Sequence, residues 1–249
     1  MDNLKSKSQL AILNNRNSIA RVSYSIELTS KLLSEKAELY FTNGNLNKNA
    51  QKYLEAIGDY NKAIELNSTK WNFYLERAWA KYFLHNYKEA IEDCDCAIQL
   101  NSTSADLYAV RAILKIWIKN FKEALEDCDN SIRLDPSNDR HYRLRGSHKD
   151  RINDHLGAIE DYTEAIQLNP NSGNYYFYYR GLSKFKYGDF QGALEDYTKE
   201  IELTPHHSDS FYGRSEAKKK INDTKGSIED HTIAKRLSHD YFVSLFREV

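Results

Sequence analysis

The chain has 249 residues with 35 Lys and Arg against 36 Asp and Glu, a net charge of −1, and a mean hydropathy of −0.72. This balance disfavours a non-specific nucleic-acid binder, which needs excess positive charge to neutralise phosphates, and no stretch approaches the ~20 apolar residues of a membrane span. Three cysteines, an odd number, fit a reducing compartment better than a disulfide framework, so we expect a cytoplasmic protein.

The first 36 residues lack the phrase that recurs in the rest of the chain. Their segment SIARVSYSIELTSKLLSEKAEL still has helical periodicity. The opening residues carry lysines without a sustained apolar core, which makes them a poor signal peptide. We therefore expect residues 1–36 to form a helical cap or extension with a frayed start.

The remainder of the chain repeats with a 34-residue period. One phrase returns six times, as GDYNKAIELN, EDCDCAIQLN, EDCDNSIRLDP, EDYTEAIQLNP, EDYTKEIELTP and EDHTIAKRLS. The period breaks once, by one extra residue in NPNSGNYY, which we place in a loop. A period of this length is typical of a helical solenoid, in which each unit buries its apolar face against a neighbour.

Each unit predicts two helices whose packing residues share one face. The first helix carries an aromatic residue and then a small one four places on: Tyr40 and Gly44, Tyr74 and Ala78, Tyr108 and Ala112, Tyr142 and Gly146, Phe177 and Gly181, Phe211 and Ser215. The second helix carries a small residue and, four places on, a second packing residue: Ala56 and Tyr60, Ala90 and Cys94, Ala124 and Cys128, Ala158 and Tyr162, Ala193 and Tyr197, Ser227 and His231. Small residues at these spacings let the two helices of a unit approach closely.

This order of aromatic and small residues resembles the tetratricopeptide repeat (TPR) family over about residues 37–241. The resemblance implies an all-α, right-handed superhelical solenoid of about six helix-turn-helix repeats with helical caps. The repeats would span 37–70, 71–104, 105–138, 139–173, 174–207 and 208–241. Residues 242–249 would be a C-terminal capping segment, a short closing helix over the exposed end of the stack.

A column of charges recurs outside this pattern. Arginine stands three places after the aromatic residue, lysine four places further on the same face, and aspartate on the second helix: Arg77, Arg111, Arg145, Arg180 and Arg214; Lys81, Lys115, Lys149, Lys184 and Lys218; Asp59, Asp93, Asp127, Asp161, Asp196 and Asp230. Equally regular acids favour a ladder of Arg–Asp pairs between helices. The alternative is a basic stripe that recognises an acidic ligand.

In TPR proteins the first helix of each repeat lines a concave groove, so the resemblance places a ligand against first-helix residues outside the packing pattern. These residues differ from repeat to repeat. The candidates are Leu75, Trp79, Tyr82 and Phe83 in the second repeat, Val110, Ile113 and Trp117 in the third, Arg140 and Arg143 in the fourth, and Tyr175, Tyr178, Tyr179 and Phe185 in the fifth. The sixth repeat is mixed, with Asp209, Tyr212, Glu216, Lys219 and Lys220.

Large apolar side chains at positions that packing does not require indicate a binding surface. A partner would bring apolar anchors beside one or two acidic residues that meet Arg140 and Arg143, as an extended peptide or an amphipathic helix. In the alternative interpretation, the same side chains pack between adjacent first helices or against the N-terminal segment folded back into the groove.

One subclass of partner is not expected. Some TPR co-chaperones bind an acidic chaperone tail with Lys and Asn in one repeat, Asn in the next, and Lys and Arg in the third. The matching positions here hold Phe41, Asn45, Glu76, Asp106 and Val110, so only one of the five agrees.

No motif for chemistry stands out. Cys94 and Cys96 are two apart and would point to nearly opposite sides of a helix, and no phosphate loop, zinc-protease motif or nucleophile elbow occurs. We expect no enzyme activity, no cofactor and no bound metal. The sequence predicts a scaffold or adaptor for protein–protein interaction, with a self-associating assembly protein or a regulatory subunit of a larger complex as alternatives, and RNA or acidic-ligand binding as a weaker one.

Overall fold

All regular secondary structure in the described part of the chain is α-helical. The computed structural model describes the backbone of residues 2–171 and 175–247 and the side chains of residues 27–171 and 175–238, with those of Arg21, Ser23 and Ser25. The chain divides into an N-terminal block, Met1–Ser102, and a C-terminal block, Thr103–Val249. The N-terminal block contains α1 (Asp2–Asn49), α2 (Tyr53–Leu66), α3 (Trp71–Phe83) and α4 (Tyr87–Leu100). The C-terminal block contains α5 (Ala105–Trp117), α6 (Phe121–Leu134), α7 (Asp139–Arg151), α8 (His155–Leu168), α9 (Tyr176–Tyr187), α10 (Phe190–Leu203), α11 (Ser208–Lys220) and α12 (Thr224–Arg247).

Within each block, successive helices pair as hairpins and successive hairpins stack. Helix α1 packs on α2 and α3 on α4; in the C-terminal block α5 packs on α6, α7 on α8, α9 on α10 and α11 on α12. The odd-numbered helices also touch one another, α1 with α3 in one block and α5, α7, α9 and α11 in order in the other. The first helices of the C-terminal block therefore form one continuous layer, and their outer positions share one surface.

The two ends of the chain are built from helices longer than the repeat needs. Helix α1 runs unbroken from the N-terminal extension into the first helix of the first repeat, and α12 runs from the sixth repeat through to Arg247. Residues 242–247 of the predicted capping segment therefore continue α12. The side chains of residues 1–20, 22, 24, 26 and 239–249 lie outside the described residues, and so do residues 172–174, where a loop was predicted.

A left-handed residue ends each turn between the two helices of a repeat. Its φ lies between 60° and 65° in five repeats and is 101° in the fifth, where the residue is glycine: Gln51, His85, Lys119, Asn153, Gly188 and Asn222. The left-handed conformation ends the first helix and lets the chain reverse. Since five repeats tolerate a side chain there, the turn is set by the fold around it more than by glycine.

The small residue of the first helix matches the size of its partner on the second. An added Cβ on Gly44 would lie 2.6 Å from the Tyr60 ring, and on Gly146 or Gly181 it would lie 3.1 Å from the ring of the corresponding tyrosine. Where the small residue is alanine, in the second and third repeats, the partner shrinks to cysteine. All of these second-helix partners are 0–1% exposed. Glycine with tyrosine and alanine with cysteine are therefore two ways of filling the same space.

The charge column forms ion pairs within each repeat. In repeats two to six the aspartate accepts from the arginine, with Nη2 to Oδ1 distances of 2.5–2.8 Å, and from the lysine Nζ at 2.7–2.9 Å. The five aspartates are only 2–3% exposed. Each arginine also lies over the aromatic ring three residues earlier, with Cζ 5.5–5.9 Å from the centroid. The predicted ladder is thus a set of buried Arg–Asp–Lys triads.

Four of these arginines reach the preceding repeat within their own block. Arg77 Nη1 donates to Asn61 Oδ1 at 2.7 Å, and Arg145 Nη1 donates to Asp129 Oδ1 at 2.7 Å. Arg180 and Arg214 donate to threonine hydroxyls sixteen or seventeen residues back. One guanidinium therefore joins both helices of its own repeat to the second helix of the repeat before it.

The first repeat solves the same problem without cations. Asn43 and Asn47 stand at the arginine and lysine positions, and both side-chain amides donate to Asp59 Oδ2. Asp59 is 9% exposed, more than the other aspartates of the column. A partly wetter carboxylate can be held by neutral donors, because less of its hydration is lost.

We expect the glycine–tyrosine and alanine–cysteine pairs to be coupled energetically. Gly44→Ala should lower the free energy of unfolding by about 1–3 kcal/mol through overpacking against Tyr60, less the gain in helix propensity. Tyr60→Cys should also destabilise, by leaving space unfilled. The double variant, which copies the Ala78 and Cys94 pair, should be more stable than the sum of the two changes by about 1 kcal/mol or more. Denaturant unfolding of all four proteins measures this coupling, and strict additivity would contradict the account.

Candidate functional site

In the N-terminal block the predicted site residues of α3 join an aromatic cluster. Trp79 and Tyr82 meet edge to face with ring centroids 5.6 Å apart, and Tyr82 meets Phe83 at 5.4 Å. Phe83 also stacks on Tyr53 of α2 at 4.8 Å and remains 47% exposed. Leu75 is half-buried on the same helix. The cluster is therefore partly core and partly surface.

The α5 candidates differ in exposure. Val110 is 8% exposed and lies in the core of the C-terminal block, and Ile113 is half-buried. Trp117, at the end of the helix, is 48% exposed. Val110 therefore packs in the core, as the alternative interpretation expected, whereas Trp117 presents a large apolar surface.

Helix α7 presents cations next to this surface. Arg140 is exposed and Arg143 is half-buried, and neither side chain forms an ion pair among the described residues. Arg151 is exposed at the end of the same helix. These arginines differ from Arg145 on the same helix, which holds Asp161 and Asp129. The variable arginines are thus available to a ligand, and the recurring one is not.

The α9 candidates divide between packing and an open cavity. Tyr179 stacks on Tyr162 of α8 with centroids 5.8 Å apart, which turns it toward the packed interior. Tyr175 stacks on His207 at 4.4 Å and is 37% exposed. Tyr178 and Phe185 line a cavity between α9 and α11.

That cavity has a volume of about 300 Å³. Its walls are mainly apolar and its lining residues are Tyr178, Leu182, Phe185, Tyr197, Asp209, Tyr212, Gly213 and Glu216. Burial, together with the charge of Asp209, raises the pKa of Tyr178, so its hydroxyl stays protonated at neutral pH. The structure therefore brings side chains of the fifth and sixth repeats together in one cavity.

No protein-family model matches the chain, and no curated protein matches it. Solved structures do match. PilF of Pseudomonas aeruginosa is 17% identical over 82% of this chain and 93% of that one, with a TM-score of 0.69. A tetratricopeptide repeat protein of Parabacteroides merdae is 13% identical over 79% of this chain and 77% of that one, with a TM-score of 0.68. YrrB, described as a TPR protein with an unusual peptide-binding site, is 21% identical over 76% of this chain and 97% of that one, with a TM-score of 0.59.

The chain has the TPR fold. Identities of this size establish the fold and leave function to the residues of this chain. The all-α TPR architecture predicted from the repeat is confirmed, and no described helix is both long and apolar enough to cross a membrane.

Two features of this TPR surface were missed in the sequence. Tyr53 and Tyr87 join the α3 cluster from the starts of α2 and α4. An aromatic residue recurs at that position, as Phe121 and Phe190 show, so the signal was present. The second feature is Gly213, which lines the α9–α11 cavity against the Tyr197 ring and stands where the fifth repeat has Tyr179.

The cysteines of the TPR array are structural in their surroundings. Cys94 and Cys128 are buried and unbridged, and burial raises the pKa of the Cys128 thiol well above its usual value. Within the described residues, no group of three or more His, Cys, Asp and Glu side chains could hold a metal ion.

Helix α7 carries two histidines at core positions of the repeat. His141 and His148 are 3% and 4% exposed, and His141 Nε2 and both ring nitrogens of His148 have no hydrogen-bond partner among the described residues. Other repeats place Ala80, Leu114 and Ser183 where the fourth has His148. Burial, helped by Arg151 and Arg143, lowers the pKa of His148 to about 4. The pKa of His141 is also lowered by burial, against the opposing charges of Asp106, Asp135 and Asp139.

We expect acid to destabilise the C-terminal block through His148. A histidine whose pKa is lower in the folded than in the unfolded state stabilises fully above pH 6.5, and that contribution is lost as pH falls toward 4. The expected loss is about 3 kcal/mol at pH 4, at 1.36 kcal/mol per pKa unit. His148→Leu, which copies Leu114, should flatten this part of the pH dependence when free energies of unfolding are measured at pH 7 and pH 4. Equal pH dependence in both proteins would show that His148 is not responsible.

Proposed function

We propose that this protein is a scaffold or adaptor that binds an extended peptide or a helix of a partner protein on its first-helix surface. The observation that carries the proposal is the contrast along α7, where the recurring arginine is held in a triad while Arg140 and Arg143 form no ion pair with any described residue.

The first-helix layer of the C-terminal block supports this proposal by its composition. Trp117 and Tyr212 are 48% and 52% exposed on α5 and α11, on either side of the arginines of α7. Aromatic and arginine side chains are those that most often carry the energy of protein–protein binding. A partner with apolar anchors and an acidic residue near α7 would complement this layer. The aromatic cluster of α3 is a second such surface, within the N-terminal block.

The recurring charges argue against the RNA or acidic-ligand alternative. A basic stripe would need free cations in every repeat, but in repeats two to six the arginine and lysine of the column share a buried aspartate. The first repeat has no cations at those positions. Acid recognition is therefore proposed only at the variable arginines.

A peptide library displayed on phage and selected on the purified protein tests the proposed function. We expect enriched peptides that combine apolar and acidic residues and bind with a Kd on the order of micromolar. Arg140→Gln with Arg143→Gln should weaken their binding about 5- to 30-fold, the effect of two partly exposed ion pairs. The matched control is Lys235→Gln with Arg236→Gln, which removes two exposed cations of the second-helix side and should leave affinity unchanged.

Circular dichroism and thermal unfolding would establish that both double variants fold. Failure to enrich any peptide, or equal weakening in the two folded variants, would contradict a peptide site on the first-helix layer.

A further inference from the structure

The α9–α11 cavity combines apolar walls with two acids. Tyr178, Leu182 and Phe185 of α9 face Tyr212 of α11 across it, and Tyr197 of α10 closes it from the packed side. Asp209 and Glu216 line the same cavity from one face of α11, about two helical turns apart. A volume of about 300 Å³ is at the lower limit of small-molecule sites and suits one long side chain.

Neither acid has a structural cation. Among the described residues, Glu216 takes part in no ion pair or hydrogen bond, and the Asp209 carboxylate accepts one hydrogen bond, from the hydroxyl of its neighbour Ser208 at 3.4 Å. The nearest recurring cations of α9 and α11 are committed elsewhere, Lys184 to Asp196 and Lys218 to Asp230. Lys220 lies over the Phe190 ring at 5.9 Å. The cavity therefore keeps a net negative charge beside aromatic rings.

The titratable neighbours of the cavity leave that charge uncompensated. His207 meets Tyr178 edge to face at 5.0 Å, and burial lowers its pKa, so the ring is neutral at pH 7. Tyr178 is itself protonated at that pH. Lys219 is exposed on α11 and forms no ion pair with Glu216 among the described residues.

Glu216 and Gly213 are specific to the sixth repeat, whereas the third repeat also has an acid, Asp106, at the position of Asp209. Where Glu216 stands, the second, third and fifth repeats have Trp79, Ile113 and Leu182, so repeat packing does not require an acid there. At the position of Gly213 the neighbouring repeat has Tyr179, which fills the equivalent space. A Cβ on Gly213 would approach the Tyr197 ring to 2.6 Å, so the glycine permits the close packing of Tyr197 at the cavity wall.

We propose that the α9–α11 cavity binds a basic side chain, arginine or lysine, of the partner peptide. Its aliphatic stem packs on Leu182, Phe185 and Tyr212, and its charged head pairs with Asp209 and Glu216. A purely apolar side chain would fill the walls but leave both carboxylates to lose hydration without a partner. A cation over aromatic rings gains additional electrostatic attraction. This inference rests on the proposed function, because the basic residue belongs to the bound peptide.

A small probe tests the cavity independently of any selected peptide. The wild-type protein is titrated with Nα-acetyl-arginine amide and with its neutral isostere Nα-acetyl-citrulline amide, followed by two-dimensional NMR. We expect the arginine probe to shift resonances of α9 and α11 saturably and to bind roughly two- to fivefold tighter than citrulline, the effect of a partly exposed ion pair. Asp209→Asn with Glu216→Gln should abolish this difference while the residual binding of both probes to the aromatic walls persists.

The control is Glu92→Gln with Glu126→Gln, two exposed acids of second helices, which should preserve the preference for arginine. Equal binding of arginine and citrulline, shifts confined to other helices, or no saturable shift would overturn the inference. If the arginine probe binds at α9 and α11 while no peptide is enriched from the library, the cavity assignment stands and the proposed function fails. If peptides bind while the arginine probe does not, the proposed function stands and the cavity assignment fails.

Discussion

The buried Arg–Asp–Lys triad is the interaction on which this TPR array depends. Each aspartate is almost fully removed from water, so its charge is tolerated only because an arginine and a lysine of the same repeat meet it directly. Removing one partner from such a pair typically destabilises a protein by about 3–5 kcal/mol, because the other charge is left buried. In the N-terminal and C-terminal blocks alike, the guanidinium also reaches the preceding repeat. Local repeat geometry and stacking are therefore fixed by one side chain.

The triad has a consequence for function. Because the recurring cations satisfy recurring acids, the regular part of the charge pattern carries no information for a ligand. In the proposed function, specificity comes from the positions that vary, which are the exposed aromatic residues, the arginines of α7 and the acids of α11. The C-terminal block presents these in a fixed order along its layer of first helices. A partner would have to supply the complementary order, acid toward α7 and base toward α11.

The sequence predicted the repeat, its helices and the Arg–Asp ladder because each is encoded by identical residues at a fixed spacing. It could not show that Val110 is buried and Trp117 is exposed, since both are large apolar residues of one helix at positions outside the packing pattern. The cavity beside Gly213 was also out of reach. The cavity is lined by side chains of three helices, and the repeat pattern does not show how they pack around Gly213.

The roles of residues that depart from the repeat pattern could be recognised only from the structure. Asn43 and Asn47 interrupt the charge column, yet the structure shows them serving the same aspartate as neutral donors. The histidines of α7 occupy positions filled by apolar or small residues in other repeats, and only their burial reveals an electrostatic role. The predicted closing helix is part of α12, because nothing in the sequence before residue 242 forces the helix to end.

The central claim is that recurring charges build the array and variable charges face the ligand. The most direct test compares Arg145→Met with Arg140→Met, the same change of charge and side chain five residues apart on α7, by denaturant unfolding. The account predicts a loss of about 3 kcal/mol or more in the free energy of unfolding for Arg145→Met and a change within about 0.5 kcal/mol for Arg140→Met. Equal effects of the two substitutions would contradict it.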